Sequence, residues 1–179
     1  MEVARMGILD WLGLGGKGKR PEAGGGTETE SVRRIGERLR QLPPERARYL
    51  AAFAYLLGRV AHADLDFAPS EIEQMEKILA ERASIEPEQA ALVVLMAAER
   101  NRLFGGTENF LVAREFDQIA DSNQKLGLLR CLYAVAAADG SISAVEDAEI
   151  GKIASELGID AATVAATRAE FRSKLAVLK

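Results

Sequence analysis

An internal repeat constrains this chain more than any other feature of its sequence. When the 179-residue sequence is shifted by 75 residues, positions 57–81 align with positions 132–156 without a gap, and nine of the 25 pairs are identical. The identical residues, numbered in the first copy, are Leu57, Val60, Ala61, Ala63, Asp64, Glu71, Lys77, Ile78 and Glu81. Such self-similarity indicates that one unit occurs twice, either as a duplicated packing unit or as a duplicated functional site. It predicts two units about a pseudo-two-fold axis.

Both copies have the periodicity of helices. Apolar residues recur three and four positions apart, and no stretch alternates for long enough to form a strand. Aromatic residues make up only 6% of the chain, which argues against a β-sandwich or barrel. Capping residues and prolines predict helices that begin near Ser31, Pro44, Pro69, Pro87, Thr107, Ser122, Ser143 and Asp160. The predicted fold is all-α, with about eight helices arranged as two related three-helix units plus connecting helices.

Particular residues are expected to bound these helices or to face the core. We expect Ser31 to cap a first helix that ends near Leu42, and Ser122 to cap the sixth. The fourth helix is expected to reach Leu103, and Phe110 to lie on the buried face of the fifth. The second helix is apolar over much of its surface and is therefore predicted to be central. Ser143 and Glu146 have the spacing of a capping box.

The first 30 residues differ in composition from the rest. Eight of the 16 glycines lie in the first 26 residues, so residues 1–30 are predicted to be a flexible segment and residues 31–179 the helical domain. Within this segment, Ile8, Trp11 and Leu12 can share one face of a short helix, and basic residues follow. Residues 7–20 are therefore predicted to make weak, salt-sensitive contact with a membrane surface or to bind a partner's groove. The alternative is a disordered or loosely docked tail.

Charge and cysteine content exclude several classes of protein. The formal net charge is −4, which disfavours binding to duplex nucleic acid, and no window approaches the roughly 20 apolar residues of a membrane span. Cys131 is the single cysteine, so neither an intrachain disulfide nor a cysteine-based zinc site is available. We expect Cys131 to be a buried small hydrophobic residue.

Two acidic loops are the strongest candidates for chemistry. Residues 138–146 match the back half of an EF-hand loop, with Asp139, Gly140 and Glu146 at the positions for an acid, a turn glycine and a final glutamate. The front half is missing from both loops, and Leu65 replaces the turn glycine in the first. Two interpretations stay open. The carboxylates either tie the loops through hydrogen bonds, or both loops contribute to one weak site for calcium, magnesium or manganese. No other cofactor is predicted.

Other candidate sites are weaker. His62 lies two residues before Asp64, an arrangement that could serve acid–base chemistry, although no serine or cysteine nucleophile motif accompanies it. A histidine at a helix end beside carboxylates is the simpler interpretation. The glycine-rich residues 13–19 lack the spacing and the preceding strand of a phosphate-binding loop.

The repeated motif resembles the tellurite-resistance TerB family. The resemblance rests on the residues 56–64, LLGRVAHAD, and 132–143, LYAVAAADGSIS, together with Glu146, Ile150, Ile153, Ala154, Leu157 and Gly158. The family's hallmark is an apolar helix ending in Ala-Asp-Gly, a short loop, and a glutamate that opens the next helix, present twice. The resemblance spans about residues 31–178 and implies an all-α protein. The metal ligands it implies are Asp64, Asp66, Glu71, Asp139 and Glu146.

The resemblance also sets expectations for function. TerB-like proteins are cytoplasmic bacterial proteins tied to tellurite and other chemical stress, to phage defence and to membrane-associated complexes, and the module also occurs in a membrane-anchored DnaJ-type co-chaperone. No catalytic activity is established for the family. We therefore expect a non-enzymatic interaction module with protein partners, cytoplasmic or peripheral at the inner face of the membrane. The alternatives are a divalent-metal sensor or buffer, and an enzyme that uses His62 with the carboxylates.

Overall fold

The computed structural model describes residues 30–61, 69–100, 103 and 109–176. These ranges contain eight α-helices and a three-residue 3-10 helix, and within them the only β-type pairing is an isolated bridge between Ile142 and Leu175. The helices are α1 (Glu30–Arg40), α2 (Pro44–Val60), α3 (Pro69–Ala83), α4 (Pro87–Ala98), α5 (Asn109–Ile119), α6 (Ser122–Ala136), α7 (Ala144–Glu156) and α8 (Ala161–Glu170). The predicted all-α fold with about eight helices is confirmed.

Local capping chemistry explains most helix starts. Proline occupies the first position of α2, α3 and α4, where its fixed φ suits the helix and its missing N–H costs no bond. The Asp160 carboxylate caps α8 by accepting from the Thr163 N–H at 2.8 Å. The prediction that Ser122 caps α6 is wrong by one residue. Ser122 is the first residue of the helix, and Asp121 is its N-cap, which forms a capping box with Gln124.

Three further predictions about helix bounds and facing are wrong. Helix α1 contains Ser31, because it begins at Glu30, and it ends at Arg40, before Leu42. Helix α4 ends at Ala98, because Glu99 leaves the helical conformation with φ −91° and ψ 14°. Phe110 is 60% exposed. Its position is two residues before the buried Val112, which places it on the opposite face of α5. Thr107, the predicted cap of the fifth helix, lies outside the described residues.

Helix α2 forms the centre of the molecule, as its apolar surface predicts. Every residue from Tyr49 to Gly58 is buried, and α2 packs against α1, α4, α5, α6 and α7. Burial of apolar surface on all sides of one helix supplies the main driving force for the fold. The two predicted units correspond to α2–α4 and α6–α8, so the packing of α2 against α7 joins them.

A second interface also joins the units. Helix α3 packs against α6, and at the contact a Cβ placed on Gly127 would lie 3.1 Å from the Cα of Ala83 and 3.3 Å from the carbonyl oxygen of Arg82. Glycine at this position lets the two helix backbones approach closely. The two interfaces, α2–α7 and α3–α6, pair the first helix of one unit with the second helix of the other. The structural equivalence of the two units stays a prediction.

No helix among the described residues is long and apolar enough to cross a bilayer. The predicted flexible segment, residues 1–30, lies outside the described residues except for Glu30, which begins α1.

Candidate functional site

The structure describes three of the five predicted metal ligands. Asp64 and Asp66, like His62, lie outside the described residues. Glu71 is exposed in the first turn of α3, and Asp139 and Glu146 flank the loop between α6 and α7. We call residues 138–146 the second acidic loop. Its geometry determines what these two carboxylates do within the protein.

The first half of the second acidic loop is closed by Asp139 and Gly140. The Asp139 Oδ1 accepts a hydrogen bond from the Ser141 N–H at 3.1 Å, which is an Asx turn. The Gly140 N–H donates to the Ala137 carbonyl at 2.9 Å, and Gly140 has a φ of +98°, in the left-handed region that favours glycine. This part of the loop is therefore a helix end followed by a local turn.

The second half of the loop is closed by a capping box. Glu146 Oε2 accepts from the Ser143 N–H at 2.7 Å, and Ser143 Oγ accepts from the Glu146 N–H at 3.2 Å. Glu146 is only 9% exposed. Its carboxylate therefore satisfies a backbone donor at the start of α7, where negative charge is also favoured by the helix dipole.

The chain's C-terminal segment fixes the middle of the second acidic loop. The Ile142 N–H donates to the Lys174 carbonyl at 2.7 Å, and the Ala176 N–H donates to the Ile142 carbonyl at 2.9 Å. Ile142 and Leu175 are both buried. No sequence pattern signals this bridge, because a pair of isolated backbone bonds has no periodicity.

These contacts confirm the structural roles expected of Asp139, Gly140 and Glu146. They also limit how this loop could bind a cation. Asp139 and Glu146 would have to coordinate the cation while keeping their hydrogen bonds to the loop backbone, or give up those hydrogen bonds. Among the described residues, there is no group of three or more His, Cys, Asp or Glu side chains that could hold a metal ion. Because Asp64 and Asp66 lie outside the described residues, cation binding stays a prediction.

An ion-pair cluster around the buried Arg59, near the end of α2, was not expected from the sequence. The Arg59 side chain is 1% exposed, and Arg59 is the second-to-last residue of α2. Arg59 Nε donates to Glu149 Oε1 at 2.8 Å, and Arg59 Nη1 donates to Glu156 Oε2 at 2.5 Å. Burial disfavours the charged guanidinium, but its hydrogen bonds to Glu156 and Glu149 outweigh this effect and raise the Arg59 pKa. The one sequence feature that could have indicated this cluster is an arginine within an otherwise apolar stretch of the helix.

A second polar cluster connects α6, α7 and α8. The Arg168 guanidinium binds both oxygens of Asp147, with Nη2 at 2.7 Å from Oδ2 and Nε at 2.9 Å from Oδ1. The Tyr133 hydroxyl donates to Asp147 at 3.4 Å, and the Tyr133 ring stacks on Phe171. Burial, followed by the charge of Asp147, raises the pKa of Tyr133 to about 12. Tyr133 is therefore a neutral structural donor at physiological pH.

Cys131 is fully buried, as expected of a small hydrophobic residue. Its Sγ lies 3.9 Å from the Ile78 carbonyl oxygen, and burial raises the pKa of the thiol to about 12. A nucleophilic cysteine needs a lowered pKa and access to substrate. Cys131 has neither property, so its role is to pack α6 against α3.

Two large apolar side chains are exposed on the described surface. Phe110 on α5 is 60% exposed and Val145 on α7 is 74% exposed. The Arg114 guanidinium lies over the Phe110 ring, 5.7 Å from its centroid. Aromatic residues and arginine are enriched where proteins contact one another, so this pair on α5 is a candidate contact point.

Comparison with protein-family models identifies a match over most of the helical region. The family model described as tellurite resistance protein TerB matches residues 49–169. The match covers both acidic loops and most of α2 through α8, whereas α1 and residues 1–29 lie outside it. Neither a curated protein nor a solved structure matches the chain significantly.

Proposed function

We propose, since this chain belongs to the TerB family of tellurite resistance proteins, that it is a non-enzymatic helical module that binds other proteins in a bacterial stress response. The observation that carries the proposal is the exposed Phe110, with Arg114 held over its ring. An exposed phenylalanine costs solubility, and a partner that covers it gains about 1.5–3 kcal/mol from its burial. Arg114 adds a charged group that can pair at the rim of the same contact.

Affinity purification from the native host tests this proposal. The tagged full-length protein, its Phe110→Ser variant and its Gln118→Ala variant are compared, because Gln118 is an exposed polar residue on the same helix. We expect specific partners to be lost with Phe110→Ser and kept with Gln118→Ala. Each partner is then purified and its affinity measured by calorimetry. Identical partners for all three proteins would contradict the proposal.

A divalent-metal sensor or buffer is the second candidate, supported by the Asp-Gly-Ser pattern and the buried Glu146 of the second acidic loop. If Asp139 only ties the loop, Asp139→Ala lowers the free energy of unfolding by about 1–3 kcal/mol, equally with calcium and with chelator. If the loop binds a cation, added calcium, magnesium or manganese raises the parent's melting temperature. The Asp139→Asn variant, which keeps the turn's acceptor but loses the charge, should then lose that rise.

Membrane proximity is a further part of the proposal. Residues 7–20 lie outside the described residues, and their apolar and basic composition supports weak contact with the inner face of the membrane or with a membrane-associated partner. Co-sedimentation with anionic vesicles compares the full chain with one that begins at Ser31. Equal sedimentation of the two at low salt would overturn the membrane contact.

A further inference from the structure

Two arginines from different helices form long ion pairs with the same carboxylate, that of Glu170. Arg82 at the end of α3 has its Nη1 3.9 Å from Glu170 Oε2, and Arg130 on α6 has its Nη2 3.5 Å from Glu170 Oε1. The three side chains are between 40% and 42% exposed. Both distances exceed those of a good charge-assisted hydrogen bond, about 2.7–2.9 Å.

The ion pairs of Arg82 and Arg130 differ from those of Arg59 and Arg168. Arg59 and Arg168 each donate two or more hydrogen bonds to carboxylates at between 2.5 and 3.3 Å. Within the described part of the chain, Arg82 and Arg130 donate none to a side chain or carbonyl. A guanidinium carries five N–H donors, so this pair has donor capacity that Glu170 does not use.

The fold holds the two guanidinium groups together. At Gly127, α6 passes so close to the end of α3 that an added Cβ would meet the backbone of residues 82 and 83 within 3.3 Å. The Arg82 guanidinium also lies over the Phe171 ring, 5.4 Å from its centroid, and that ring stacks on Tyr133. Cation–π contact and helix packing therefore restrict Arg82 before any ligand arrives, which lowers the entropy cost of binding.

Glu170 is poorly suited to be the permanent partner. It is the last residue of α8, where the helix dipole disfavours a negative charge. Its position between two cations compensates for this, yet its carboxylate oxygens lie 3.5 Å from Arg130 and 3.9 Å from Arg82. A carboxylate from outside the chain, which is not tied to the end of α8, can approach both.

We propose that Arg82 and Arg130 form a receptor for a carboxylate side chain in an acidic segment of a partner protein, and that Glu170 competes for it. This inference rests on the proposed function as an interaction module and names the chemistry of one partner surface. The partly enclosed guanidinium groups suit an extended Asp or Glu side chain better than a flat lipid surface.

Fluorescence anisotropy with the full-length protein tests the receptor. The probe is a labelled ten-residue peptide that contains four glutamates, and the control peptide has glutamine in their place. We expect Glu170→Gln to strengthen binding of the acidic peptide about threefold, because a competing exposed ion pair is removed. The double variant Arg82→Gln/Arg130→Gln should weaken binding about tenfold. Arg38→Gln, which changes an exposed arginine on α1, should leave binding unchanged.

Further measurements separate the receptor from general charge effects. Arg82→Lys/Arg130→Lys keeps the charge but loses the planar fork, so we expect it to bind more weakly than the parent. If circular dichroism shows that the double glutamine variant does not fold, the single variants Arg130→Gln and Glu170→Gln test the receptor instead. The first should bind the acidic peptide more weakly than the parent, and the second more strongly. Unchanged or weaker binding by Glu170→Gln overturns the inference, as does equal binding of the two peptides. Anionic vesicles that bind with the same variant dependence, in place of the peptide, also overturn it.

The two proposals fail separately. If the peptide does not bind but partners still depend on Phe110, only the arginine receptor is wrong. If the peptide binds as expected while Phe110→Ser keeps every partner, the Phe110 contact is wrong and the receptor remains.

Discussion

The two interfaces that join the three-helix units are built from different chemistry. At the α3–α6 interface, backbones approach at Gly127, and the buried Cys131 lies against the Ile78 carbonyl. At the α2–α7 interface, the buried Arg59 binds Glu149 and Glu156. The repeat aligns Arg59 with Ala134, Glu149 with Gln74 and Glu156 with Glu81, so the corresponding positions of α3 and α6 keep only one of the cluster's three charged residues.

This difference shows that the two interfaces depend on different properties, although the sequences of the helices that form them align. The α3–α6 interface depends on the absence of a side chain, so it is sensitive to added volume. The α2–α7 interface depends on a compensated buried charge, so it is sensitive to the loss of one partner. Substitutions that act on one property at a time should distinguish the two interfaces.

The largest effect is expected for Arg59→Ala. This change leaves Glu149 and Glu156 without their buried cation, and we expect the free energy of unfolding to fall by about 3–5 kcal/mol, measured by urea denaturation. The control is Arg59→Met combined with Glu149→Gln and Glu156→Gln, which removes the whole cluster's charge. It should recover much of the loss. If the control is as unstable as Arg59→Ala, packing volume rather than charge holds α2 to α7.

Gly127→Ala should have the next largest effect. Its Cβ would lie 3.1 Å from the Cα of Ala83, and since backbone must move to relieve that contact, we expect a loss of about 1–3 kcal/mol. Gly151→Ala on α7 is the matched control, because nothing lies within 4 Å of its Cβ position. It should stabilise the protein by up to about 1 kcal/mol through helix propensity. A neutral Gly127→Ala would mean that the α3–α6 contact adapts readily.

Ser84→Gly should stabilise the α3 side of the same interface. Ser84 follows α3 with a φ of +52°, a left-handed conformation that glycine adopts without strain. We expect a gain of about 1 kcal/mol in thermal or urea denaturation. Ser84→Ala keeps a Cβ in that conformation and should give no gain. Equal stability of the two variants would show that the strain at Ser84 is negligible.

A pH-dependent effect tests how completely the α3–α6 interface excludes water. Burial raises the pKa of Cys131 from 9.0 to about 12, so the protonated thiol is favoured in the folded state. Its stabilising contribution is complete below pH 9 and is lost as the pH rises toward 12. Urea midpoints between pH 8 and 11 should therefore fall less steeply in Cys131→Ala than in the parent. Rapid modification of Cys131 by a thiol reagent at pH 8 would contradict its burial.

The sequence predicted the helices and several of their caps because these depend on neighbours within four residues. Ser143 and Glu146 form the expected box, and Asp160 caps α8. The same local rules failed at Ser122 because Asp121 is also a capping residue, and only the backbone conformation selects between them. The prediction that Phe110 is buried failed for a related reason. Whether an apolar residue at the edge of a helix's apolar face is buried or exposed depends on how the helix packs.

Within the second acidic loop, the sequence determined the roles of Asp139, Gly140 and Glu146, because each acts on backbone within three residues of itself. Only the tertiary structure decided which distant groups meet. Arg59 is 90 residues from Glu149 in sequence and 97 from Glu156, and Ile142 binds a segment beyond α8. Arg82, Arg130 and Glu170 come from three helices. Contacts of this kind follow from how helices cross, and periodicity fixes only which face of a helix is buried, not which partner covers it.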